Sequence, residues 1–357
     1  MRIILRSRTK SIFALLIALF LLSACSEPKQ EIHKYSYFTF GTIIQLTIAG
    51  VEKELADEAA AELDTKFADM HNDWHAWQPS PVMTLNQQLA KGETATVDEK
   101  LLPLLLKAKA FTDISSDTFN PAIGHLLFMW GYQKDEQPIE PPAQLKIDEY
   151  LNNIPDLSKL KIDGNQVSSS DNNIQFDLGG FAKGYGIDRA IDHLKSKGIT
   201  NAIVNAGGDL KVIGQQTDRP WRIGIRHPRK TGSVIGLLDV NDGESVFTSG
   251  DYERYFIYED RRYHHILDPR TGLPATDLTS VTIITEDAAL ADAAATALFV
   301  AGLKDWEKVA TQMGINKVML IDKHGQLYMT AAMQPRMQLV EKDQDIVISR
   351  TISDENR

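Results

Sequence analysis

The chain has 357 residues, with 38 Lys and Arg against 48 Asp and Glu, a net charge of −10 and one cysteine. An acidic chain without a basic run excludes nucleic acid as a natural partner, and a lone cysteine excludes an internal disulfide framework. Stability must come from core burial, which this length supports as one large domain or two intertwined ones.

Residues 1–24 read as a secretory signal peptide: Arg2, Arg6, Arg8 and Lys10, then the apolar run IFALLIALFLL, then small residues. The run is shorter than the roughly 20 apolar residues of a spanning helix. A plain signal or an N-terminal anchor helix are the alternatives. The stretch LSAC ends in Cys25 and resembles a bacterial lipobox. The expectation is a lipidated Cys25 at the mature N-terminus, anchoring the protein to a membrane surface of the cell envelope, facing the periplasm. Ser26 points to the outer membrane where there is one. Without residues 1–24, 34 basic residues face 48 acidic ones, a balance of −14, so lipid and not charge must supply membrane affinity. Residues 25–35 read as a polar tether, 36–340 as the functional domain and 341–357 as a charged, frayed tail.

Within the domain, YFTFGTIIQLTIAG alternates as a strand, and ELADEAAAELDTKFADMHNDW carries apolar residues at helical spacing. VDEKLLPLLLKAKAFTDIS reads as a helix with Pro103 in its first turn, and PPAQLKIDEYLNNI as another. KLKIDGNQVSSS is a hairpin with an Asp-Gly turn. FAKGYGIDRAIDHLKSKG is a helix closed by Gly198. Strand patterns follow in AIVNAGG, LKVIG, WRIGI, VIGLLDV, SVFTSG, YERYFIYE and SVTIITE. ALADAAATALFVAG and DWEKVATQMG are helical, and KVMLIDKHGQLYMT is a last hairpin. Strands and helices without regular βαβ alternation indicate an α+β fold of mixed sheets with packed helices.

Three stretches could carry chemistry. DLGGFAKGYGIDRA (177–190) places Asp177 and a Gly-Gly pair at a helix mouth, where first-turn N–H groups favour anions, although neither nucleotide-binding glycine pattern is present. A glycine turn that merely caps the helix is equally compatible. In ADAAATALF (291–299), Asp292 and Thr296 lie four apart and share a helical face. With a backbone carbonyl they would suit Mg2+; alternatively Asp292 is an N-cap and Thr296 packs. In YHHILDPRTGLP (263–274), adjacent histidines on a strand point to opposite faces. Zinc lacks its usual ligand patterns here. A serine hydrolase would need Ser249, which has no elbow motif around it.

Together with FGTIIQLTI, DTFNPAIGHLLFMWGY, NAGGDLKVIG, WRIGIRHP and TSGDYERYF, these stretches follow one order over residues 37–302, about three quarters of the chain. In that order the chain resembles the ApbE family of flavin transferases, and the leader fits its lipid-anchored members. The resemblance implies an ApbE-like fold and an enzyme that binds FAD, cleaves its pyrophosphate with Mg2+, and moves FMN onto a threonine of a partner protein, releasing AMP. It implies metal ligation by Asp292, Thr296 and the carbonyls of Gly180 and Ala295. It places FAD against Phe40, Trp77, Thr118, Phe119, Asn120, Asp177, Lys183 and Ile266, and makes His265 the base. Trp77 could instead be a core residue. Asp268 would either orient that imidazole or shape the turn. Phe40 stands where the family commonly has methionine, Asn120 where aspartate is common, and Gly180 where threonine also occurs. The implied acceptors are subunits of membrane redox complexes. Two other functions use the same site: hydrolysis of FAD to FMN and AMP, and non-enzymatic FAD carriage.

Overall fold

The computed structural model describes residues 31–349 except 135, 137, 217, 342 and 343, and also residue 352. The signal peptide, the lipobox with Cys25 and the first part of the tether lie outside the described residues. Among the described residues nine strands make the main sheet: β1 (Ile32–Thr39), β2 (Thr42–Ala49), β3 (Ala202–Ala206), β4 (Asp209–Ile213), β5 (Ser245–Gly250), β6 (Leu278–Thr285), β7 (Lys317–Asp322), β8 (Leu327–Thr330) and β9 (Ile346–Ser349). Their order across the sheet is their order along the chain. Every neighbouring pair is antiparallel except β8 and β9, which run parallel. The sheet is therefore a meander, and the helices and smaller hairpins are insertions between its strands.

The helices are α1 (Lys53–Asp73), α2 (Pro81–Ala90), α3 (Leu102–Ile114), α4 (Gly124–Met129), α5 (Gln144–Leu151), α6 (Ala182–Ser196) and α7 (Ala288–Gln312). Alternation along the strands divides the sheet's side chains between two cores. Val204, Ile213, Phe247, Ile283 and Leu320 join the buried cluster that also holds Leu63 and Phe67 of α1, Ile187 and Ile191 of α6 and Leu298 of α7. Ile203, Val212, Val246, Ile284 and Met319 face the other way, onto Trp221, Ile225, Leu238 and Met337 of a three-stranded sheet. Helices cover one face and a small sheet the other, in line with the expected α+β class.

Several expectations need correction. The segment 37–50 is two strands: the chain reverses at Phe40 and Gly41, with φ of 50° and 68°, and Thr39 pairs with Thr42. The inward side changes parity at the turn, from Tyr35 and Tyr37 to Ile44 and Leu46, and the apolar Phe38 and Phe40, which share the parity of β2, conceal the change in the sequence. The tether is shorter than residues 25–35, since Ile32 already begins β1 opposite Ala49. The C-terminal tail contains β9, whose Ile-Val-Ile run pairs with Leu327–Thr330. PVMTLNQQLA forms α2, which has the Ser-Pro signature of a helix start: the Ser80 hydroxyl accepts from the Met83 N–H at 2.9 Å. The two helical runs after residue 288 are parts of α7, broken at Gly302, where φ is 65°.

The crossing of α6 over α7 positions the site. At Gly184 a Cβ would lie 2.1 Å from the Ala288 carbonyl oxygen and 2.9 Å from the Ala289 Cα. Both obstacles are backbone and cannot swing away. Gly184→Ala is therefore expected to force the helices apart and to cost at least the roughly 1–3 kcal/mol of an overpacked core. Urea denaturation at the wild-type midpoint would show it, and an unchanged midpoint would refute this account of the crossing.

Candidate active site

One cavity of about 830 Å3 is walled by the β1–β2 turn, the segment after α1, residues 118–121, the first turn of α6, the start of β4, the end of β5 and the second and third turns of α7. Phe40, Trp77, Thr118, Phe119, Asn120, Asp177, Gly180, Lys183, His265, Ile266, Asp292, Ala295 and Thr296 all line it. Segments up to about 250 residues apart in sequence meet there because the meander brings one end of β2–β5 together below the α6–α7 crossing.

The acidic side is built by α7. Asp287 is its N-cap, with Oδ1 accepting from the Leu290 N–H at 2.8 Å, so the capping alternative for Asp292 is wrong. Asp292 sits one turn further in, and its Oδ2 accepts the Gly184 N–H of α6 at 2.9 Å. Burial raises its pKa to about 7, the Asp209 carboxylate adds to the rise, and Lys183 opposes it. The Lys183 ammonium is 3.8 Å from Asp292 and bonded to Asp209. Burial alone would depress that ammonium, but the Asp209 and Asp292 carboxylates outweigh it and hold its pKa above the ordinary value. Asp209 is anchored in turn by the Thr248 N–H at 2.9 Å. Thr296, one turn beyond Asp292, has its hydroxyl 3.4 Å from that of Ser249. Ser249 thus neighbours the Thr296 hydroxyl, and among the described residues no histidine is bonded to it.

The two histidines separate as strand geometry requires. His264 is buried: its Nε2 donates to the Ala275 carbonyl at 2.7 Å, its Nδ1 accepts from the Ile266 N–H at 3.3 Å, and its ring meets Phe299 edge-on. Both nitrogens are occupied. His265 faces the cavity, with Nδ1 3.2 Å from the Arg254 carbonyl. A carbonyl only accepts, so Nδ1 carries the proton and Nε2 is left with its lone pair. Burial and then the Arg254 charge push the His265 pKa down to about 3. Asp268 accepts from Arg270 through Nε at 2.8 Å and Nη2 at 2.9 Å, and also from the Arg270 backbone N–H. It shapes the turn; the other role considered for it, orienting the imidazole, is not seen.

The remaining wall is aromatic and braced. Phe40 stacks on Trp74 at 5.8 Å. Trp77 is 37% exposed and meets His75 edge-on, so it stands at the cavity mouth and not in the core. Thr118 donates to Ser115 O at 2.7 Å. Asn120 bridges the Pro155 carbonyl and the Ala122 N–H. Asp177 accepts from Gln133 at 2.7 Å and from the Gly179 N–H at 2.9 Å. A Cβ at Gly180 would come 3.1 Å from the Phe119 ring, so this wall fits glycine closely.

The sequence profile of the ApbE family matches residues 40–319. The chain belongs to the ApbE family. It is 39% identical over 306 residues to the FAD:protein FMN transferase of Rhodobacter capsulatus, covering 86% of this chain and 58% of that one. The FAD:protein FMN transferase of Vibrio cholerae is 30% identical, over 86% of this chain and 92% of its own length. Among solved structures, the ApbE protein of Thermotoga maritima superimposes with a TM-score of 0.79 at 33% identity, covering 86% of this chain and all of that one. The flavin transferase ApbE of Vibrio cholerae gives a TM-score of 0.76 at 26% identity, over 86% and 99%.

The sequence pointed to no role for Asp209, although it stands in the ApbE-like stretch NAGGDLKVIG. Its signal was an acid directly after a Gly-Gly turn at a strand start. Gln133, which holds Asp177, carries no such signal, because only the folded chain brings residues 133 and 177 together.

Proposed function

We propose that this chain is an FAD:protein FMN transferase that uses Mg2+ to move FMN from FAD onto a threonine hydroxyl of an acceptor protein, with AMP as the leaving group. The observation that carries the reading is the meeting of a neutral, cavity-facing His265 with the buried Asp292 and the half-buried Thr296 in one FAD-sized cavity. Asp292, Thr296 and the carbonyls of Gly180 and Ala295 would hold the metal. All are hard oxygen donors, as Mg2+ requires. The donor set also fits because Asp292 is a buried carboxylate whose pKa is raised by burial and by the neighbouring Asp209 carboxylate, two costs that a bound cation would offset. Among the described residues no group of three or more His, Cys, Asp or Glu forms an alternative metal centre. When bound, the ion would neutralise the pyrophosphate and stabilise the charge that develops on it.

The chain's own groups do the rest. Phe40 and Trp77 present aromatic faces to a flat ring, and Lys183 can exchange Asp209 for a phosphate oxygen. His265 Nε2 takes the proton of the threonine hydroxyl while Oγ forms its bond to the FMN phosphorus. The bridging P–O bond breaks, and its electrons leave on the phosphate of AMP. Incubation with FAD, Mg2+ and a threonine-bearing peptide, followed by mass measurement, tests the reading. A peptide gaining FMN with release of AMP is expected. Free FMN and AMP with an unmodified peptide would make the protein a hydrolase, and intact FAD would make it a carrier.

The protein is further proposed to work from a lipid anchor at Cys25, facing the periplasm, on subunits of membrane redox complexes; the support is the lipobox-like LSAC and the family resemblance. Cys25→Ser is expected to leave the precursor unprocessed or to release the protein from membranes in fractionated cells. Normal processing with membrane retention would refute the anchor.

A further inference from the structure

The hairpin that leads into His265 has an unpaired edge. Tyr255–Tyr258 and Arg261–His264 pair with each other and, among the described residues, with no other strand. The His265 N–H donates to the Arg254 carbonyl at 3.1 Å, and Tyr255 lies opposite His264. In an antiparallel ladder this makes 254/265, 256/263 and 258/261 the bonded pairs. The N–H and C=O of Tyr255 and Ile257 therefore point to the open side. The two-residue turn Glu259–Asp260, with φ of 47° and 58°, agrees with that phase. Along the open side runs a groove of about 430 Å3 lined by Pro138, Ile139, Glu253, Tyr255, Phe256 and Ile257. Ile139 is 81% and Ile257 54% exposed. Folded proteins ordinarily blunt or cover an apolar strand edge. Glu253 lines both this groove and the large cavity that holds His265, so the groove and the cavity adjoin at that residue.

We propose that the groove receives an extended segment of the acceptor protein, which adds to the Tyr255–Ile257 edge as a third strand and delivers its hydroxyl residue past Glu253 to His265. The proposal rests on the transferase reading, which requires a polypeptide to enter a cavity whose walls the nucleotide already occupies. The adjacency of groove and cavity at Glu253 selects this occupant. Residues of an added strand advance by about 3.4 Å each, so a chain paired at Ile257 and Tyr255 reaches the cavity mouth two residues later. Main-chain pairing supplies affinity with little demand on sequence, while Ile139 and Ile257 favour apolar side chains at alternate positions. The acceptor threonine would accordingly lie in an extended, accessible loop.

Two variants outside the cavity wall test the edge. Ile257→Pro removes an outward N–H and no bond of the hairpin's own ladder. Ile139→Asp puts a charge on the opposite wall, outside the hairpin. The probe is a threonine-centred synthetic peptide library, from which the member most modified by the wild-type protein is taken for kinetics. Both variants are expected to raise KM for that peptide by about tenfold or more, as loss of a central contact does. FAD affinity, read by flavin fluorescence, and kcat at saturating peptide should stay at wild-type values. Ile257→Ala, which keeps the backbone donor, should change KM far less than the proline variant. Unchanged KM in both Ile257→Pro and Ile139→Asp overturns the proposal. So does a shift from dimer to monomer with KM unchanged, which would give the edge to a second copy of the chain. If Ile257→Pro loses FAD affinity, the hairpin itself is damaged and Ile139→Asp decides alone. If the wild-type protein modifies no library member and yields only free FMN, the transferase reading fails first, and this proposal with it.

Discussion

Asp292→Ala is expected to bring FMN transfer down by about 10³-fold or more, the equivalent of the several kcal/mol that a catalytic metal contributes. The carboxylate is the one charged group among the proposed ligands; without it the ion would keep only carbonyl, hydroxyl and water oxygens, a weak set for a hard cation. The same carboxylate accepts the Gly184 N–H, so alanine also strands a buried donor, at a cost of about 1–3 kcal/mol in stability. Asp292→Asn separates the two effects. Its amide oxygen can still accept from Gly184, so its melting temperature should stay near wild type, while transfer should fall as far as in the alanine variant. Mg2+ titration followed by calorimetry should show no binding in either. Full activity in the asparagine variant would place the metal elsewhere.

His265→Ala is expected to slow transfer by about 10² to 10⁴-fold, the usual contribution of a general base, with FAD affinity largely kept. His264→Ala should leave the rate near wild type but lower the melting temperature, since it removes hydrogen bonds to Ala275 and Ile266 and a contact with Phe299. Equal rate losses in the two variants would make the stretch a fold element and not a catalytic one. The pH profile follows from the direction of the His265 shift. A free histidine titrates near 6.5, and a base at that value would lose activity as pH falls through neutrality. Burial and Arg254 depress the His265 pKa to about 3, so the accepting form persists in acid. At saturating Mg2+ the wild-type rate should show no histidine limb between about pH 5 and 8. A clear limb near 6.5 that disappears in His265→Ala would contradict that environment.

How much the sequence could show depended on whether a feature was local. The Asp292–Thr296 spacing, the Gly-Gly mouth of α6 and the opposition of His264 and His265 follow from helix and strand periods, and the structure places each of these residues as those periods require. What the sequence left open was contact between distant segments. Asp268 had two local roles and chose its neighbour Arg270. Asp209 was passed over because its partner Lys183 is 26 residues away. The turn at Phe40 is hidden because the exposed Phe38 and the turn residue Phe40 fall in the same parity as the buried Ile44, Leu46 and Ile48. Asp287, not Asp292, caps α7, since the helix already begins at Ala288 and Asp292 lies inside it.

The crossing of α6 and α7 has a consequence in time. Gly184 touches Ala288 across about a hundred residues of chain, and the bond from the Gly184 N–H to the Asp292 carboxylate depends on that contact. Contacts of such separation close late, because a long loop must lose its entropy first. A chain still emerging from the ribosome would contain Phe40 and Trp77 of the aromatic wall before Asp292 has been added. On the proposed function, such a nascent chain could meet FAD without being able to cleave it until about the last fifth of the polypeptide had arrived.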